Sequence, residues 1–188
     1  MRYRGWLLAL VPWLGGCVQS VNPLHTAESV VLEPALLGTW TLDDGNLMVV
    51  TQRDSTSYRF VSVARNGETS AWVGWLTTVG DRRWIDARPE DLPQSWSSDY
   101  RDGFLPLYTF WALLEVGDQL RIASVSYDSL HAALDRDPAA IAHAKGVDNR
   151  ILLTASTHVL RDFLVTYAER PGVLAESDKP AWRVPPRP

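Results

Sequence analysis

Four histidines, scattered carboxylates, one thiol and nine tryptophans are the residues with which this chain could do chemistry. His25, His131, His143 and His158 include no pair three to five residues apart, the spacing a helical or hairpin metal site needs, so no metal ligand is assigned. His158 and Asp162 stand i,i+4 on an expected helix, a base-and-orienter spacing that is also the spacing of any neighbours on a helix surface. Ser156 lies close to them but has no G-x-S-x-G elbow around it, so no serine nucleophile is expected. Asp43-Asp44 and the run Asp99-Tyr100-Arg101-Asp102-Gly103 suggest cation ligands, but the latter lacks the remaining ligands and terminal glutamate of a calcium loop. Asp81 and Asp86 could be weighed as the two carboxylates of a glycan hydrolase. No phosphate loop, dinucleotide fingerprint or haem attachment motif occurs, so no catalytic residue and no cofactor is assigned. The tryptophans are the compositional oddity. Trp72, Trp75, Trp96 and Trp111, with Tyr100, form a candidate aromatic lining for a hydrophobic or glycan ligand, the alternative being ordinary core packing.

The elements that must position these residues are mostly strands. From Gly38 onward apolar and polar residues alternate, broken by turn residues at Asp43-Asp44-Gly45-Asn46, Arg53-Asp54-Ser55, Asn66-Gly67, Gly80-Asp81 and Gly117-Asp118. Strands are expected over 39–42, 47–52, 58–64, 69–79, 83–87, 107–116, 120–125 and 150–154. That is about eight, the number that closes a small up-and-down barrel. In the fourth, Trp72, Gly74 and Leu76 share one face while Val73 and Trp75 take the other. The strand at 107–116 is apolar on both faces and needs cover on its outer side. Helices are available for that: one capped by Asp128 with Leu130 and Leu134, one from Asp137-Pro138 to Gly146, and one from Thr154 or Ser156 carrying Leu160, Phe163, Leu164 and Tyr167. The fold class expected is β-rich α+β: an antiparallel meander of about eight strands, barrel or half-barrel, with two or three packed C-terminal helices. Residues 88–106 form a long loop, a candidate lid or contact patch.

The thiol belongs to the start of the chain. Arg2 and Arg4 precede an apolar run from Trp6 to Leu14, roughly ten residues and thus signal-sized, where a spanning helix needs about 20. Leu14-Gly15-Gly16-Cys17 follows and resembles the lipobox of bacterial lipoproteins, in which small residues admit the chain to a peptidase and the thiol accepts a diacylglyceryl group. Cys17 is the single cysteine, which excludes an intramolecular disulfide and, once acylated, any cysteine-based zinc site or nucleophile. The resemblance implies cleavage after residue 16, lipidation of Cys17 and a membrane held through that lipid. Val18 in the next position, where aspartate is the familiar inner-membrane retention signal, favours the periplasmic face of the outer membrane in a Gram-negative cell. The organisation expected is a signal peptide over 1–16, a lipidated N-terminus and tether over 17–32, one domain over 33–175 and a proline-rich tail over 176–188. The whole chain carries a formal charge of −4. Residues 1–16 hold two arginines and no acid, so the remainder is more acidic still, and nucleic acid is excluded as a partner.

Gly38-Thr39-Trp40, opening the first strand of the meander, resembles the G-x-W motif of lipocalins. The resemblance implies a glycine that allows a tight approach and a tryptophan that plugs the closed end of a barrel. A wider resemblance, to a group of uncharacterised bacterial lipoproteins, rests on Asn22-Pro23-Leu24-His25-Thr26, on Pro34-Ala35-Leu36-Leu37-Gly38-Thr39-Trp40, and on Leu152-Leu153-Thr154-Ala155-Ser156-Thr157 before Leu160 and Phe163. That group brings no assigned activity. Two functions are therefore expected as alternatives: a non-enzymatic envelope protein binding a small apolar ligand or a partner protein, and an envelope hydrolase using carboxylates of the 88–106 loop such as Asp99 or Asp102. The absence of a catalytic constellation puts the first ahead.

Overall fold

Short turns join most of the strands, and each turn is specified by its own side chains. Asn66 Oδ1 accepts from Glu68 N at 3.0 Å while Gly67 takes φ +85°, which only a residue without Cβ adopts cheaply. Asp54 accepts from Thr56 N, Thr56 Oγ1 and Ser57 Oγ at 2.7–2.9 Å, and these bonds, Ser57 first, hold its carboxyl down at about 2. The computed structural model describes residues 18–42, 44–90, 104–146, 150–177 and 179–185. In chain order its strands begin with β1 (Gln19–Ser20), β2 (Val30–Val31), β3 (Gly38–Thr41), β4 (Leu47–Gln52), β5 (Tyr58–Val63), β6 (Thr69–Val79) and β7 (Arg82–Pro89). They continue with β8 (Tyr108–Val116), β9 (Gln119–Val125), β10 (His143–Lys145), β11 (Ile151–Leu153), β12 (Leu174–Glu176) and β13 (Ala181–Arg183). The helices are α1 (Tyr127–Arg136) and α2 (Thr157–Tyr167), and a 3-10 turn spans Pro34–Leu36.

β3 to β9 pair in sequence as an antiparallel meander, and β13 lies between β9 and β3, so the eight strands close into a barrel. The fold is the eight-stranded antiparallel barrel with C-terminal helices that the alternation predicts. Leu36, Trp40, Val50, Tyr58, Phe60, Leu76, Ile85, Leu113, Leu120 and Ile122 fill the interior. A second core lies outside the wall. Val79, Trp84, Phe110, Ala112, Ala123 and Val125 of β6 to β9 pack there against Leu130, Leu134, Leu160, Leu164 and Tyr167 of the two helices. This is why β8 is apolar on both faces.

Six expectations give way to the structure. Residues 17–32, expected to be a tether, are in their described part built into the sheet. β1 pairs antiparallel with β8 and parallel with β11, and Val18, Ser20 and Leu24 are buried. The strand near 150–154 exists as β11, but it joins β10 and β1 in a wing beyond the barrel. The eighth barrel strand is β13, inside the expected tail, because β9 and β3 would otherwise both present unpaired edges. No helix forms over 138–146. Asp137 Oδ1 accepts from Ala139 N for one turn, then Ile141 drops into the outer core and β10 pairs with the free edge of β11. The cap of α1 is also Ser126, which accepts from Ser129 N, with Asp128 in the first turn. The start of the 88–106 loop belongs to β7, which runs to Pro89.

Candidate functional site

One end of the barrel is plugged. Trp40 has no solvent exposure, donates Nε1 to Leu36 O at 3.0 Å and carries the Arg183 guanidinium 4.3 Å above its ring. Arg183 donates Nε to Gly117 O and Nη1 to Leu37 O, at 3.0 and 2.8 Å, and Nη2 to Ala35 O, so one side chain ties β13 to the 3-10 turn and to the β8–β9 turn. Gly38 takes φ +131° there, and a Cβ on it would meet Arg183 Nη1 at 2.8 Å. Tyr58 closes the same end by accepting from Glu33 N at 2.5 Å, and burial raises its phenol pKa.

The other end differs. Trp72 stands in register with Phe60 and Pro89, and Trp111 with Ile85 and Ser124, so both share the face of the interior residues. Both pack against the inner cluster yet stay only half-buried. Gly74, the next residue on this face of β6 and in register with Tyr58, lies between the two ends, where a Cβ would come within 2.6 Å of the Phe60 ring; the missing side chain lets that ring lie across the strand. Thr109 and Ala87 complete this part of the wall as register partners. At the level of Thr109, β8 is flanked by β1, whose Gln19 is its direct partner.

Trp75 lies on the opposite face, separated from Trp72 and Trp111 by the wall. Its ring stacks on His25 at 4.0 Å and 14°, with Tyr108 at 6.4 Å. His25 Nδ1 is 2.6 Å from Asp86 Oδ2, an oxygen that already accepts from Leu24 N at 2.8 Å and His25 N at 3.0 Å, so the imidazole Nδ1 donates. The histidine–carboxylate pair has a base-and-orienter geometry, but its Oδ2 is spent on backbone amides and, among the described residues, no serine, threonine or cysteine is bonded to the ring. It acts as a clamp. Burial raises the Tyr108 phenol, opposed by Arg88. The clamp continues on the other side of the same segment. Asn22 Nδ2 donates to Ala155 O, Thr157 Oγ1 to Pro23 O and Arg161 Nη1 to Leu24 O, at 2.8–2.9 Å. Residues 22–26 and 152–157, from opposite ends of the chain, are thus one locus.

The remaining sequence candidates separate. Asp81 is exposed in the β6–β7 turn while Asp86 is fully buried five residues on, roughly 16 Å along an extended strand. They do not form a carboxylate pair. His158 and Asp162 are 3.2 Å apart with the histidine side chain 86% exposed, a surface pair, and His131–Asp135 repeats the spacing on α1. Among the described residues no group of three or more histidine, cysteine, aspartate or glutamate side chains could hold a metal ion. Cys17, Asp43, Trp96, Asp99, Tyr100 and Asp102 lie outside the described residues. Asp86, Arg161 and Arg183 were not singled out as structural residues by the sequence, since each reaches across more than 60 positions. Comparison adds no relative. No family model, no curated protein and no solved structure matches this chain.

Proposed function

We propose that this protein is a lipid-anchored component of the cell envelope whose barrel mouth takes a small apolar ligand. The observation that carries the binding part is the placement of Trp72 and Trp111. Both face the interior at the end opposite the Trp40–Arg183 plug, and both are only half-buried while the interior residues around them are covered. The anchor is supported by Cys17, the single cysteine, standing directly behind two small residues and a signal-sized apolar run. Among the described residues no helix is long and apolar enough to cross a membrane; acyl chains on Cys17 would supply the attachment. If the cell is Gram-negative, Val18 favours the periplasmic face of the outer membrane.

Native mass spectrometry of the protein extracted from its own membrane tests both halves. The expected result is a mature chain starting at Cys17 with acyl mass, carrying an apolar molecule that Trp72→Ala and Trp111→Ala lose. A chain starting at Cys17 without acyl mass refutes the anchor. Retention of the molecule by both tryptophan variants refutes the mouth.

A further inference from the structure

Resting on the anchor and not on the mouth, we propose that a cleft between α1 and the β10–β11 wing takes the phosphate of an anionic phospholipid headgroup. The cleft measures about 220 Å³, with Leu134, Pro138 and Ile151 on its apolar side and His131, Asp135, His143 and Lys145 on its polar side. Both imidazoles are held through Nδ1. His131 Nδ1 lies 2.9 Å from Asp135 Oδ2, and His143 Nδ1 lies 3.0 Å from Ile141 O. A carbonyl only accepts, as does an ionised carboxylate, so each Nδ1 carries a proton and each Nε2 is left for another partner. Lys145 and Arg150, the latter exposed beside Ile151, make no ion pair among the described residues. Asp135, the acid in the lining, is already engaged with His131. The cleft thus joins cationic donors to an apolar floor.

The short path from this cleft to the residue that carries the anchor points to a lipid. β1 and β11 are parallel with Gln19 opposite Leu152, which sets Val18 level with Ile151, and Ile151 is the partner of Lys145. Neighbouring strands lie about 4.8 Å apart, so the Cα of Lys145 is roughly 10 Å from that of Val18, and Cys17 is one residue, about 3.8 Å, further. Val18 is buried and β1 is paired on both edges, so no slack remains to carry the domain away from the bilayer. Acyl chains on Cys17 would therefore keep the cleft in reach of the headgroups, where lysine and arginine attract anionic lipid. A bound phosphate favours the charged form of both imidazoles, and each then donates Nε2–H to it. The other ionisable groups facing the rings are Asp135 and Tyr127 on α1 and Lys145 on β10, while β11 presents Ile151. A metal cation would meet the Lys145 ammonium, and a zwitterionic headgroup brings a cation of its own.

The test uses the acylated protein, its acyl mass confirmed, in phosphatidylcholine vesicles with and without phosphatidylglycerol, with amide hydrogen exchange read along the chain. Phosphatidylglycerol should slow exchange in β10 and β11 about 5-fold for each cation engaged and leave β5 unchanged. Lys145→Gln combined with Arg150→Gln should abolish the slowing while β5 exchanges as before, which a misfolded variant would not do. Lys145→Arg should keep it. Soluble glycerol phosphate, added to the protein in phosphatidylcholine vesicles, should have no effect, because no surface concentrates it at the cleft. Equal exchange with and without phosphatidylglycerol on an acylated chain refutes the headgroup site while the anchor stands. Slowing by glycerol phosphate to the same extent makes this a site for free phosphate and refutes the lipid. A mature chain without acyl mass removes the anchor, and the site falls with it.

Discussion

Replacing Arg183 by alanine should destabilise this protein more than its half-buried position suggests. The barrel is closed by a strand of three residues, and its register with β3 and β9 consists of two residue pairs on each side. Most of the specificity of that closure lies in the guanidinium, which satisfies three carbonyls and covers the Trp40 ring. A hydrogen bond from a charged donor contributes about 1.5–3 kcal/mol net and a partly desolvated cation–π contact about 1–2 kcal/mol. These do not add, and carbonyls near the barrel end regain water when the side chain goes. A loss of roughly 3–4 kcal/mol is the result, a large share of the 5–15 kcal/mol a domain typically has. Arg183→Lys keeps the charge but not the planar fork, and should recover less than half. Urea unfolding followed by tryptophan emission measures this, with the midpoint falling at constant slope. A cycle with Trp40→Phe should give a coupling of about 1 kcal/mol. An Arg183→Ala shift below about 1 kcal/mol would mean that β13 is held by its backbone alone.

Asp86→Ala should cost roughly 2–4 kcal/mol, because it strands two backbone amides in the outer core, and hydrogen exchange at Leu24 and His25 should rise ahead of exchange in β5. Cys17→Ser should yield an unprocessed or soluble chain, seen as loss of acyl mass at the N-terminus and absence from the membrane fraction. Asp54 should titrate near pH 2 in a carbon-detected NMR titration. Because its folded value lies below the ordinary aspartate value of 3.8, its contribution to stability is present above about pH 4 and lost as the pH falls through 2; a value near 4 would show that the Asp54–Ser57 turn does not persist in solution.

The strands from β3 to β9 were legible because each pairs with its neighbour across a turn whose residues announce it, as Asn66-Gly67 does between β5 and β6. β1, β12 and β13 were not, since two or three residues cannot display alternation and their partners lie far away in the chain. The segment from Asp137 to Lys145 misled for a related reason. Its alanines favour a helix, but the unpaired edge of β11 and the burial of Ile141 outweigh a propensity of a few tenths of a kcal/mol per residue. In the site, alternation separated Trp72 from Trp75 correctly, but could not say which face was the interior. The cleft of His131, His143 and Lys145 gave no signal, because these residues meet only once β10 pairs with β11 beside α1. Asp86 could be seen only as one more carboxylate.

The burial of Val18 also sets an order of events in the life of the chain. On the proposed anchoring, the bond to be cut precedes Cys17, and a peptidase must hold that stretch extended in its cleft. Val18 is one residue away, and it ends up enclosed between the barrel wall and the helices, with Gln19 and Ser20 paired on both edges. A chain already folded would have to unzip β1 and release the Asp86 clamp before it could be processed. On that anchoring, leader removal would come before β1 docks, and until then the wing of β10 and β11 would have no strand linking it to the barrel.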